Sequence, residues 1–182
     1  MRYLSGIAIF TVMLFSSVVI SSFADPPNDK GDHHMGPVTG SKELEKLKTL
    51  AGTWQGTSVM EGKEVPVTVT YKTSSNGSIV VETLFPDTPH EMVSVYYDNN
   101  GKLGMTHYCA LDNQPHFTLE KSSDAEMELI FANGTNLDPA KGLYMHDVTF
   151  DFEGNNNMVQ KWTLYENGKK KDVSTFTFTR AE

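Results

Sequence analysis

The chain has 182 residues, 23 acidic against 15 basic side chains and a net charge of −8, which is the length of one domain. An acidic balance without basic blocks argues against nucleic acid or an anionic membrane surface as partner. The single cysteine, Cys109, excludes an internal disulfide framework, so the fold must rest on its core.

Residues 1–24 read as a secretory signal. Arg2 gives the positive start, residues 3–20 are mostly apolar, and Ser22-Phe23-Ala24 offers small residues for cleavage after Ala24. The apolar run is just long enough for an uncleaved anchor, but Ser5, Gly6, Thr11, Ser16 and Ser17 interrupt it. Cleavage leaves 158 of the 182 residues and, with Arg2 gone, moves the net charge from −8 to −9. No cysteine stands at the cleavage point, which argues against a lipid anchor. The expected location is periplasmic or secreted, with no membrane contact after cleavage. Residues 25–40, rich in Pro, Gly, Asp and His, read as a flexible linker, in which His33 and His34 lie near Asp29 and Asp32.

The domain is expected over 41–182. Ser41 is a plausible N-cap, Glu43 falls in the first turn, and Leu44, Leu47 and Leu50 recur at helical spacing up to Gly52. From there the period is two. Ten strands are expected, near 53–60, 64–72, 78–85, 91–97, 103–109, 115–120, 126–132, 143–152, 157–165 and 172–180. Turn sequences such as Asn76-Gly77, Asn99-Asn100-Gly101 and Asn167-Gly168 separate them. Lys169-Lys170-Lys171 reads as part of the last solvated turn, Asn133-Gly134-Thr135 as an ordinary turn sequence, and Asn113-Gln114-Pro115-His116 as a loop. No second helical pattern intervenes, so the fold class is all-β. An antiparallel up-and-down β-barrel of about ten strands, preceded by a short helix, removes every exposed edge.

Leu47 to Gly56, with Gly52-x-Trp54 at the helix-to-strand junction, resembles the opening of a lipocalin-like (calycin) barrel. Within that superfamily, Thr106-His107-Tyr108-Cys109-Ala110, Asn113-Gln114-Pro115 and Trp162 to Gly168 resemble a bacterial exported lipocalin-like family. The resemblance implies that Trp54 plugs one barrel end and that a late basic residue, Arg180, packs over it as a closure contact. It implies a fold and no activity. Gly52-x-Trp54-x-Gly56 is also similar to the opening of nitrobindin-type haem barrels. Ser58 replaces their third glycine, and no histidine follows His146 to act as the late haem ligand, so neither haem nor any other cofactor is expected.

Polar residues on apolar strand faces carry what functional signal there is, because an unpaired buried polar group is costly. His107 shares a face with Leu103, Met105 and Cys109. His146 shares one with Tyr144, Val148 and Phe150, and Glu91 one with Val93, Val95 and Tyr97. Gln160 alternates with Met158, Trp162 and Leu164. The expected function is binding of a small, mostly apolar ligand oriented by Glu91, His107, His146, Tyr144 and Gln160. Glu91, His107 and His146 form an alternative two-His, one-carboxylate metal set, and Cys109 beside His107 an alternative nucleophile pair. Against these stands a satisfied structural network in which the same groups bond one another.

Overall fold

The computed structural model describes Gly36, residues 38–60 and residues 62–181; the signal reading over 1–24, most of the linker reading and the His33–His34 pair lie outside the described residues. A seven-residue helix, α1 (Lys42–Lys48), precedes ten strands: β1 (Gly52–Met60), β2 (Lys63–Ser74), β3 (Ile79–Leu84), β4 (Met92–Asn99), β5 (Lys102–Tyr108), β6 (Gln114–Ser122), β7 (Glu126–Thr135), β8 (Leu143–Glu153), β9 (Asn157–Glu166) and β10 (Lys169–Arg180). Each strand pairs antiparallel with its sequence neighbours, and β1 pairs with β10 to close the barrel. Asn100-Gly101 and Asn167-Gly168 turn their hairpins with positive φ at both residues, the conformation that matches strand twist across a two-residue loop.

Closure makes specific demands at the β1–β10 seam. Gly56 pairs with Phe178, and a Cβ at Gly56 would overlap the Thr177 carbonyl oxygen, so only glycine lets the two backbones approach. Trp54, paired with Arg180, is buried and donates its indole N–H to the Leu50 carbonyl at 2.8 Å. The Arg180 guanidinium lies 4.4 Å from the indole ring centre. It also donates to the carbonyls of Ala51 (2.9 Å) and Thr49 (2.8 Å), in the short segment that joins α1 to β1.

Helix α1 covers this end of the barrel. The Ser41 hydroxyl caps it by accepting from the Leu44 N–H, and Leu44, Leu47 and Leu50 are buried. The Ser41 N–H donates to Asp98 at the end of β4, Ser122 at the end of β6 donates to the buried Glu43, and the Lys46 ammonium sits 4.1 Å over the Phe152 ring. The end of the expected linker is tied down as well. The Val38 N–H bonds the Asn76 carbonyl, the Val38 carbonyl accepts from Lys48, and the Gly40 N–H bonds Glu45.

Three expectations change in detail. Gln114, Pro115 and His116 belong to β6 and not to a loop, with His116 bonded to Thr106. Lys169–Lys171 belong to β10, where Lys171 falls at a register shift and pairs with Glu166 at 2.9 Å. Asn133-Gly134-Thr135, a turn sequence by composition, ends β7.

Arg180→Met is expected to lower stability by about 1–3 kcal/mol, the cost of charge-assisted bonds and a cation–π contact, in urea denaturation. Gly56→Ala should cost more, since the seam has no room for a methyl; a midpoint unchanged from wild type would contradict the close approach.

Candidate functional site

At the end opposite α1 the strand ends and the loops 85–91 and 109–113 enclose a cavity of about 340 Å³. Leu84, Phe85, Met145, Leu164 and Phe176 supply apolar walls. His107 and Trp162 form its inner end, and no lysine, arginine or carboxylate lines it. The His90 side chain, from the β3–β4 loop, stands at the rim, as do Ala110 and Leu111.

His107 is 2 % exposed. Its ring packs on the Trp162 indole with centroids 4.6 Å apart, and its Nδ1 is 3.0 Å from the Ser94 hydroxyl. The other ring nitrogen, Nε2, is buried and has no protein partner. Burial alone pushes the imidazole pKa down to about 4, so the ring is neutral at pH 7. His90 and Ser174 also line the cavity, and the neutral, fixed His107 imidazole is the polar group at its inner end.

Deeper in the barrel lies a polar cluster around Glu82, which is 1 % exposed. Its Oε2 accepts from the Tyr96 hydroxyl at 2.7 Å and from the Gln160 amide at 3.0 Å. The same amide lies 3.0 Å from the Tyr71 hydroxyl, and the Trp162 indole N–H reaches the Gln160 carbonyl at 3.4 Å. Burial raises the Glu82 pKa, partly offset by hydrogen bonds from Tyr96, Tyr71 and Gln160. Both phenols are pushed well above their usual range by burial first and by the neighbouring carboxylate second. Through Trp162 and Gln160 this cluster fixes the inner end of the cavity.

The five expected ligand residues are thus dispersed. His107 alone lines the cavity. Gln160 is interior but is consumed by Tyr71, Glu82 and Trp162. Glu91 is corrected from an inward to an exposed position: it precedes β4, and its carboxylate accepts from the Asp87 N–H at 2.8 Å. The inward face of β4 is that of Ser94 and Tyr96, not that of Val93 and Val95, because the strand must register its polar residues against Glu82 and His107.

Tyr144 and His146 are also corrected, away from the cavity face, Tyr144 staying buried and His146 half-buried. A register shift between Met145 and Asp147 interrupts the β8 alternation at His146. Met145 and Leu164 face the cavity, so the paired Tyr144 and Tyr165 lie on the other face. His146 stacks on Tyr165 with centroids 3.9 Å apart and bonds Asp147 at 2.6 Å, within an aromatic group that includes Phe131. Glu91, His107 and His146 therefore do not converge, and among the described residues no three His, Cys, Asp or Glu side chains form a metal-holding group. Cys109 lines the cavity, but burial raises its thiol pKa despite the Leu111 and Ala110 backbone N–H groups, so the nucleophilic thiolate is disfavoured.

Sequence reasoning missed Glu82, Ser94, Tyr96 and Tyr71 as a unit. The available signal was Val80-x-Glu82-x-Leu84, one carboxylate between two apolar side chains on a single face.

The described residues form a closed, ten-stranded antiparallel barrel with a largely apolar pocket at the end opposite α1. No protein-family model matches the chain, and no curated protein matches it either. Among solved structures it is similar to a redesigned β-barrel, at 17 % identity over 75 % of this chain and 95 % of that one, with a TM-score of 0.34.

The buried imidazole makes stability pH-dependent. His107 titrates near its usual 6.5 when unfolded and at about 4 when folded, so the unfolded chain binds more protons between these values. Its contribution is fully present above pH 6.5 and is lost as pH falls towards 4, on the order of 3 kcal/mol in all. Urea midpoints over that range should show a steeper acid-side fall for wild type than for His107→Phe; parallel curves would exclude a neutral buried imidazole.

Proposed function

We propose that the protein is an exported, lipocalin-like binding barrel that holds a small, uncharged, mostly apolar molecule in the cavity opposite α1. One polar group of that molecule bonds His107 Nε2. The observation that carries this reading is a largely apolar cavity whose inner end holds a buried imidazole with one unpartnered nitrogen. Leaving such a nitrogen unpaired costs about 1–3 kcal/mol, which a ligand donor or acceptor recovers on binding. The absence of lysine and arginine from the lining favours an uncharged ligand over a carboxylate or phosphate. At about 340 Å³ the cavity lies at the small end of the range for small-molecule sites.

The uncharged fluorophore N-phenyl-1-naphthylamine tests this. It should bind one molecule per chain with a blue-shifted emission. Leu164→Trp, which fills the cavity, should abolish binding, while His107→Phe should weaken it by about tenfold, the value of one net hydrogen bond. A probe that binds the Leu164→Trp variant as well as wild type would refute the site. Native mass spectrometry of protein from its own host should then show a bound mass that the same variant lacks.

A further inference from the structure

Aromatic rings form much of the cavity wall, and other rings hold them from behind. Phe85, just past the end of β3, meets Phe176 of β10 edge-to-face with ring centres 6.0 Å apart, and both line the cavity. Behind Phe176 the Phe178 ring stacks at 6.0 Å, and Phe117 packs edge-on against Trp162 at 6.0 Å. Phe85 also keeps a φ of +56°, in the left-handed region that a bulky side chain seldom adopts. Its N–H bonds the Thr68 carbonyl at 3.0 Å, and its carbonyl accepts from the Thr88 hydroxyl at 2.8 Å, which fixes that backbone. Backbone strain held in this way gathers at ligand clamps. We propose that the molecule held in this cavity is a flat aromatic one, and not an aliphatic chain or a saturated ring.

This rests on the cavity reading above and names the class of molecule the cavity takes. Burial of apolar area favours aromatic and saturated molecules alike, so it does not choose between them. Ring contacts do. An aromatic ligand offers a negative face and a positive edge to Phe85, Phe176 and Trp162, and such pairs gain beyond their area. Met92 and Met145 line the same cavity, and a thioether sulfur against a ring edge adds a gain that saturated carbon does not receive. The wall rings are already fixed by Phe117, Phe178 and one another, so little ordering is needed when a ligand ring joins them.

Displacement of bound N-phenyl-1-naphthylamine from the full chain by two alcohols tests this. Naphthylmethanol and its decahydro counterpart share a carbon skeleton and a hydroxyl and differ in aromaticity. The saturated alcohol is the more hydrophobic, so burial alone predicts that it binds at least as tightly. Naphthylmethanol should instead bind more tightly, by about tenfold or more, from ring contacts that contribute about 2- to 10-fold each. Phe85→Leu and Phe176→Leu should each reduce that preference by one such factor and leave the saturated alcohol's affinity little changed. Should Phe176→Leu fail to fold, Phe85→Leu decides the matter. Equal or reversed affinities in wild type, failure of naphthylmethanol to displace the bound fluorophore, or an undiminished preference in either folded leucine variant would overturn the aromatic class and leave the cavity reading standing. If the fluorophore itself does not bind, the cavity reading falls, and this inference with it.

Discussion

Everything in this structure depends on closing β1 against β10. A ten-stranded antiparallel sheet with two free edges would expose two rows of unpaired amides and carbonyls, and no disulfide is present to hold it in another shape. Closure satisfies those groups at once, but only where the first and last strands approach without a side chain between them. Gly56 opposite Phe178 provides that approach. The Trp54–Arg180 contact then locks the seam to α1, since the same guanidinium packs on the indole and bonds the two carbonyls behind the helix. Closed at that end, the barrel can be open only at the other, and the cavity lies there.

Within the barrel, polar groups are arranged in depth. Glu82 is the costliest of them, a carboxylate buried almost fully and held by Tyr96 and Gln160, with Tyr71 beside it. Breaking such a network leaves a charge or a dipole uncompensated, so its members are mutually fixed. Trp162 is attached to it through Gln160, and His107 packs on Trp162. The imidazole is thereby oriented from two sides, by the indole and by Ser94, with only Nε2 left free. A polar layer buried below a largely apolar cavity thus gives the cavity a rigid inner end built on His107 and Trp162.

The fold was largely legible from residue order. Period-two alternation with Asn-Gly turns placed all ten strands, and Ser41 with Leu44, Leu47 and Leu50 placed the helix. The site was legible only in part. His107 could be read because Leu103, Met105 and His107 alternate on an uninterrupted β5. His146 could not, because the β8 register shift falls at that residue, and nothing in Tyr144-Met145-His146-Asp147 marks it. On β4 both faces are plausible inner faces: Val93 and Val95 are the more apolar pair, yet Ser94 and Tyr96 point inward. Hydrophobicity ranks the wrong face there because Ser94 and Tyr96 bond polar partners on the neighbouring strands, His107 on β5 and Glu82 on β3.

The sequence by itself therefore determined the strand count, the turns and the inward course of β5. Local pattern suffices for these, since each depends on near neighbours in the chain or on a fixed alternation. Tertiary structure alone decided which polar groups meet. Tyr71, Glu82 and Tyr96 sit on the consecutive strands β2, β3 and β4, but Gln160 joins them from β9, which the chain does not connect directly to any of these. It also decided that Met92 and Cys109 bring their sulfurs together on the cavity wall while Glu91 stays outside. A one-residue change in where β4 begins reverses which side chains face inward, and only the closed barrel fixes that residue.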